Sequence, residues 1–383
     1  MTTSVVHDQF GPEYVVRVYD PKLGMTGYLV IDNTVLGPGK GGIRMTSSVS
    51  EEEIFRLART MTWKNSLAGI PFGGAKCGIV WEGGSDELKK QFIQSFARAV
   101  KPFIPKKYIA GPDVNTGERE MQWFVEAIGN WSGATGKPAS YCTVHPGKDK
   151  TKCGIPHEFG STGFGVAHAT AVAAEAAGVP LAGATIAIHG FGNVGTFAWQ
   201  FLTEMGANVA VIADKSGAIY SEKGFDKKKI EDAIRERTAV ADAFPSHAIS
   251  PQKFWEVPVD ILIPASVTDV INESNKDGIH AKVIVEAGNI PMREVVEVEL
   301  FKKGILIVPD FVANAGGVIS SYAEYRGYNP TKMFDLVKDR IVKATKSVLR
   351  QSIKERRNPR EVAMELAVSK VEKRSRGREV TFK

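Results

Sequence analysis

The chain has 383 residues, 43% hydrophobic and 24% charged, a balance that excludes fibrous and disordered classes and suits a globular protein of two domains. No run of about 18 apolar residues suggests a membrane span, and the opening MTTSVVHDQFGPEY lacks the basic start and apolar core of a signal peptide, so a cytoplasmic protein is expected. The formal charge of +6 is uneven: from Thr331 to Lys383 there are 16 lysines and arginines against 7 acids, yet the helical spacing of Ala363, Leu366, Ala367 and Val371 reads as a charged outer helix face rather than a nucleic-acid tail.

Taken in order, YVVRVYD and GYLVIDN alternate in hydrophobicity and are joined by PKLGMT, which predicts a hairpin. The stretch Leu36 to Val80 follows, LGPGKGGIRMTSSVSEEEIFRLARTMTWKNSLAGIPFGGAKCGIV, with Lys40 and Lys76 among glycines. Glycine lets backbone approach a ligand closely, so both lysines are expected in turns. Between them Ser50 and Glu53 form a capping-box pattern, and Ile54, Leu57, Ala58 and Met61 recur at helical spacing, which places Lys64 near the end of an amphipathic helix. Three neighbouring ammonium groups repel and burial disfavours charge, so at least one lowered pKa and an anion site are expected.

A strand CGIVWE, a helix DELKKQFIQSFARAVKPF and a strand KYIAGPDVNT come next, the last delivering Asp113 to a turn at a strand end. Residues 1 to about 160 thus alternate strand and helix as one α/β layer system. In SYCTVHPGKDKTKCGIPHEFG, the residues Cys142, His145, Cys153 and His157 have the spacing C-x2-H-x7-C-x3-H, a ligand set suited to a structural zinc. With Cys77 they leave only three cysteines, which fits a reducing compartment better than a disulfide framework.

The second half opens with ATIAIHGFGNVGTFAWQFLTEMGANVAVIADKSG. A β-rich run ends at His189, Gly190, Gly192 and Gly195 with Asn193 and Val194 make a GxGxxG turn, a helix follows, and Asp214 closes the next strand. Glycines admit a pyrophosphate to a helix N-terminus and the acid meets a ribose hydroxyl, so a dinucleotide fold is predicted. Strands VDILIPA, KVIVEAGN and ILIVPD, with helices from about Asp269 and Arg293, complete an open parallel sheet with helices on both faces.

The blocks GPGKGGIR, MTWKNSLAGIPFGGAK, GPDVNT, GFGNVG and NAGGVISSYAEY, in this order, resemble the glutamate, leucine, phenylalanine and valine dehydrogenases. The resemblance implies a substrate and oligomerisation domain over residues 1–165, a doubly wound Rossmann-type NAD(P)-binding domain over 166–325, and C-terminal helices over 326–383 that return to the first domain. Substrate would bind between the two domains. It implies that Lys76 activates the water that attacks an iminium, that Asp113 exchanges protons with the amino nitrogen, and that Lys64 holds the α-carboxylate. Thr162, Asn289 and Asn314 would line the nicotinamide and ribose. Lys40 and Ser321 match the positions that meet a γ-carboxylate in glutamate enzymes, which favours glutamate and 2-oxoglutarate over an apolar amino acid, since a buried unpaired charge rejects the latter. A non-catalytic nucleic-acid-binding relative is the distant alternative.

Asp214 suits the free 2′-hydroxyl of NAD, while Lys215 and Lys223 suit the 2′-phosphate of NADP, so the expectation is NAD or NADP. Four features depart from the resembled pattern. Gly111 stands where alanine is usual, Phe164 where arginine is common, the Cys142–His157 segment is longer, and the N-terminal helical extension that helps build the oligomer is not seen ahead of the first hairpin. A homo-oligomer, with a hexamer as the first guess, is expected.

Overall fold

The computed structural model describes residues 7–144 and 151–379. It divides into two compact units, the first comprising Met1–Phe159, Val318–Leu336 and Leu366–Lys383, the second Gly160–Gly317 and Val337–Glu365.

In the first unit the strands are β1 (Tyr14–Asp20), β2 (Met25–Asn33), β3 (Gly39–Lys40), β4 (Ile43–Thr46), β5 (Gly73–Val80) and β6 (Tyr108–Ile109). The alternating runs form the β1–β2 antiparallel hairpin, with Tyr14 opposite Ile31. The sheet runs β1-β2-β5-β3-β6, with β4 also paired to β5. Helices α1 (Glu51–Ala68), α2 (Asp86–Val100) and α3 (Glu118–Ile128) accompany it. Ser50 caps α1 by accepting from the Glu53 amide at 3.2 Å, three acids occupy the first turn, and Gly69 ends the helix at φ 66°. Met25, Leu29, Ile31, Ile43, Phe96 and Phe124 belong to one buried cluster. Each such side chain contributes about 1.5–3 kcal/mol of burial. A two-stranded hairpin, β7 (Cys142–Val144) with β8 (Thr151–Cys153), stands apart from that sheet.

In the second unit β9 (Thr185–His189), β10 (Asn208–Asp214), β11 (Gly217–Tyr220), β12 (Ala248–Ile249), β13 (Ile261–Pro264), β14 (Val283–Val285) and β15 (Leu306–Val308) form a sheet in the order β12-β11-β10-β9-β13-β14-β15. The pairs from β10 through β15 are parallel, and β11 and β12 add an antiparallel edge. The strands Ile261–Pro264 and Val283–Val285 are buried throughout, as a central parallel sheet requires. The helices of this part are α4 (Ser161–Ala176), α5 (Asn193–Glu204), α6 (Lys227–Glu236), α7 (Val240–Ala243), α8 (Pro251–Glu256), α9 (Glu294–Lys302) and α10 (Asp310–Ala313). Then come α11 (Gly316–Arg326), α12 (Pro330–Glu355) and α13 (Pro359–Glu379).

The basic stretch forms α12 and α13. Val337, Ile341, Val348, Ala363, Ala367 and Val371 are buried, so the surplus charge sits on the outer faces of packed helices. The helix expected from Asp269 does not form. Asn272 accepts from the amide and hydroxyl of Ser274, Asn275 accepts from the Asn272 amide, and Asp269 adopts φ 56°. Asparagine side chains here supply the backbone with turn partners that compete with a helix.

Candidate active site

Lys40 and Lys76 lie on strands, not in turns. Lys76 is inside β5, with Val30 of β2 as its Cα partner, and Lys40 ends β3 opposite Gly74. The surrounding glycines serve close packing instead. A Cβ on Gly74 would sit 2.4 Å from the Thr62 nitrogen of α1, and one on Gly41 would sit 1.6 Å from the Ala75 carbonyl oxygen. The absence of side chains therefore lets α1 and the β3–β4 turn press onto β5. Asn65 of α1 fixes that contact by donating to the Gly73 carbonyl at 2.7 Å.

The Lys76 ammonium forms an ion pair with Asp113, and its side chain is only 7% exposed. Arg44 donates its Nε to the other Asp113 oxygen at 3.0 Å, and the Val114 amide donates to that oxygen at 2.8 Å. Burial pushes the Asp113 carboxyl up, but Lys76, Val114 and Arg44 together outweigh it and hold the group at about 2. The backbone at Asp113 is pinned as well. Its amide donates to the Thr116 hydroxyl at 2.9 Å, and that hydroxyl donates to the Ile43 carbonyl at 2.6 Å. Such an arrangement offers a preorganised amine and carboxylate pair for moving protons.

Lys40 is 3% exposed and donates to the Ala110 carbonyl at 2.8 Å. Burial lowers its pKa to about 7, with Glu324 opposing the shift and Lys137 and Lys76 adding to it. The sequence points to no role for Arg44, Lys137 or Glu324. The last two are wholly buried and form an ion pair of 2.6 Å. Ser321 lies three residues before Glu324 on α11 and is buried, and Lys64 is half-buried on α1.

In the second unit, Gly190 follows β9 at φ 103°, where a Cβ would lie 2.7 Å from the Ala265 carbonyl. A Cβ on Gly195 would sit 1.9 Å from the Gly190 oxygen, so the first turn of α5 packs directly on the strand end. Gly192 caps α5 and a Cβ there would meet nothing within 4 Å, which leaves its backbone open to an anion beside Asn193 and Val194. Asp214 ends β10, accepts from the Ser216 amide at 2.8 Å and hydroxyl at 2.5 Å, and from the Val240 amide at 2.8 Å. Lys215 and Lys223 are exposed. Asn314 donates to the Asn289 Oδ1 at 3.0 Å, joining two residues the sequence sets 25 apart. Thr162 lies in the first turn of α4. These groups fit a dinucleotide.

Arg360, on α13, ties this region from behind: it pairs with Glu286 and Glu297 at 2.5 Å each and with Asp310 at 3.1 Å. Asp310 in turn accepts from the Ile290 amide at 3.0 Å, next to Asn289.

The family model described as Glutamate/Leucine/Phenylalanine/Valine dehydrogenase matches residues 153–378, and its companion, the Glu/Leu/Phe/Val dehydrogenase dimerisation domain, matches residues 12–130. The chain belongs to this dehydrogenase family. It is 39% identical to a glutamate dehydrogenase of Aeropyrum pernix over 76% of this chain and 70% of that protein. It is 33% identical to an NADP-specific glutamate dehydrogenase of Saccharolobus shibatae, over 82% and 75% of the two chains. An NAD-specific glutamate dehydrogenase of Staphylococcus aureus is 35% identical over 78% and 72%. Among solved structures, a glutamate dehydrogenase from Peptoniphilus asaccharolyticus superposes with a TM-score of 0.80 at 26% identity, covering 96% of this chain and 92% of that one.

One feature of this dehydrogenase corrects the sequence reading. Cys142 and Cys153 are joined as a disulfide, so they cannot serve as zinc thiolates, and the cysteines are not all reduced as expected. They face each other directly across the β7–β8 ribbon, which brings the two sulfurs within bonding reach. His145 lies outside the described residues and His157 sits exposed in a short 3-10 turn. Among the described residues no group of three or more His, Cys, Asp or Glu is placed to hold a metal. Cys77 is a buried free thiol that burial pushes up to about 12. No helix among the described residues is long and apolar enough to cross a membrane.

Proposed function

We propose that the protein is an NAD(P)-dependent glutamate dehydrogenase that catalyses the reversible oxidative deamination of glutamate to 2-oxoglutarate and ammonium. The observation that carries this reading is the Lys76–Asp113 ion pair in one unit with the buried cation Lys40, in a chain whose relatives are named glutamate dehydrogenases. Lys76 is the amine that activates water at the substrate's α-carbon, Asp113 exchanges a proton with the substrate nitrogen, and Lys64 holds the α-carboxylate. Lys40 and Ser321 receive the second carboxylate, for which a buried cation and a hydroxyl are the matching partners. The cofactor supplies the hydride acceptor.

Thr162, Gly190, Gly192, Asn193, Val194, Gly195, Asn289 and Asn314 are the groups read as binding it. Asp214 carries a charge that suits NAD, while Lys215 and Lys223 suit a 2′-phosphate, and relatives of both specificities support NAD(P) as the class. We assign the first unit to substrate binding and assembly and the second to the dinucleotide. A homo-oligomer is favoured by β1, which lies at the edge of its sheet and exposes Tyr14, Val15 and Tyr19.

A second reading, an apolar amino acid dehydrogenase, is favoured by the turn of Lys40 onto the Ala110 carbonyl and its pKa near 7, which withdraw positive charge from the substrate end. Initial rates with glutamate, leucine and phenylalanine, each with NAD and NADP, separate the two. Turnover of glutamate with little turnover of the others supports the first; the reverse order rejects it.

A further inference from the structure

Among its described residues the first unit buries three lysines, Lys40, Lys76 and Lys137, and two of these have a carboxylate in ion-pair contact. Asp113 answers Lys76 and Glu324 answers Lys137. Lys40 has a carbonyl and, among the described residues, no carboxylate within ion-pair distance. If every group is ionised, this buried set carries one uncompensated positive charge, the amount a substrate carboxylate would neutralise.

Glu324 is the residue on which that balance turns. It is fully buried on α11, and its Oε2 accepts from the Gly136 amide at 2.7 Å and the Ile155 amide at 2.8 Å, while Oε1 faces Lys137. Lys137 also donates to the Ala134 carbonyl and lies 3.7 Å from the Trp131 ring centroid. One carboxylate thus gathers the Ala134–Lys137 turn and the segment that leaves the disulfide hairpin through Gly154. The same turn reaches Lys40 through a shared acceptor. The Thr135 amide donates at 3.0 Å to the Ala110 carbonyl, the oxygen that also accepts from Lys40.

We propose that Glu324 is a positioning residue that keeps Lys40 available as the cation for the substrate's second carboxylate, by neutralising Lys137 and by locking the Ala134–Lys137 turn behind Ala110. The inference rests on the glutamate reading. The groups that face Lys40 are Glu324 on α11, Lys137 on the turn, Lys76 and Cys77 on β5, and His157 in the 3-10 turn after β8, with Asp113 beyond Lys76. Glu324 favours the charged amine and Lys137 and Lys76 oppose it. Removing Glu324 leaves Lys137 uncompensated and pushes Lys40 toward its neutral form. Removing Lys137 does the opposite.

The test is the pH profile of the glutamate KM, with norvaline, which lacks the second carboxylate, as the control substrate. In the wild type the glutamate KM rises with pH as Lys40 deprotonates and the norvaline KM does not follow. Glu324→Gln moves that rise about one pH unit lower, a roughly tenfold higher glutamate KM above it, with kcat changed far less. Lys137→Met moves it higher, and the double variant, which removes both charges, returns it toward the wild-type position. The Lys40 amine is followed in parallel by 13Cε-lysine NMR, with Lys40→Leu assigning its signal, so the midpoint is read without substrate. Singles that shift in the same direction, midpoints that do not move, or an equal loss of kcat at every pH overturn the inference. Amine midpoints that move as stated in a wild type indifferent to the second carboxylate reject the glutamate reading and leave the role of Glu324 toward Lys40 standing.

Discussion

The ammonium of Lys40 occupies the space beside Gly111: a Cβ built on residue 111 would lie 2.3 Å from the Lys40 Nζ. The glycine that departs from the resembled pattern is thus the residue that lets Lys40 fold back onto the Ala110 carbonyl. Gly111→Ala is expected to swing the amine off that carbonyl. Because the displaced atom is the far end of a flexible side chain, stability changes by less than about 1 kcal/mol while the glutamate KM changes several-fold at constant kcat. Thermal unfolding together with steady-state kinetics checks both halves.

Lys76→Ala and Asp113→Asn remove one member each of the proton-handling pair. Either is expected to lower kcat by about 10²–10⁴, and the double variant by little more than the worse single, since the two act as a unit. Losses that multiply in the double variant contradict a shared role.

The depressed Asp113 carboxyl also makes an acid-stability prediction. Its folded pKa of about 2 lies below the ordinary carboxylate value, so its ionised form stabilises the fold above pH ~4, and that contribution is lost as pH falls toward 2. The amount is about 2 kcal/mol. Asp113→Asn should therefore unfold with a flatter dependence between pH 4 and 2 than the wild type, measured by urea denaturation at fixed pH.

The expectations that agree with the structure rest on local patterns. Ser50 and Glu53 mark the start of α1, the alternation before Asn33 marks the β1–β2 hairpin, and the glycines after His189 mark a strand-to-helix turn. Each is decided within a few residues by hydrogen bonding or sterics. The misreadings come from contacts set at long range. Gly73 and Gly74 read as a turn, but Gly73 is small because the Asn33 and Gly37 backbone presses on it, and Gly74 because α1 lies over it at Thr62 and Ala58. The cysteines and histidines of the 142–157 segment read as a ligand set, whereas strand register made Cys142 and Cys153 direct partners. Lys137 and Glu324 sit 187 positions apart, so no spacing rule joins them.

Arg360 holds three carboxylates, and burial pushes two of them, Glu286 and Glu297, up despite the arginine. Arg360→Met leaves these acids without their cation and is expected to cost about 3–5 kcal/mol. Since Asp310 supports the Ile290 amide beside Asn289, dinucleotide affinity should weaken more than substrate affinity. Fluorescence titration with the reduced cofactor, alongside denaturant unfolding, separates the two effects.

Reduction of Cys142–Cys153 opens a link of sequence separation 11, worth about 3 kcal/mol to the hairpin on chain-entropy grounds. Amide exchange at Cys142–Val144 and Thr151–Cys153 should quicken under dithiothreitol in the wild type, and be already fast in a Cys142→Ser/Cys153→Ser variant. Protection that persists in both would show that packing, not the disulfide, holds the ribbon.

The most direct test of the central claim is the ratio of kcat/KM for glutamate to that for norvaline in the wild type and in Lys40→Leu, with Lys76 untouched. A second carboxylate met by Lys40 predicts a wild-type ratio well above one that falls by about two orders of magnitude in the variant, mainly through the glutamate KM. A ratio unchanged by the substitution, or one that favours norvaline from the start, would contradict it.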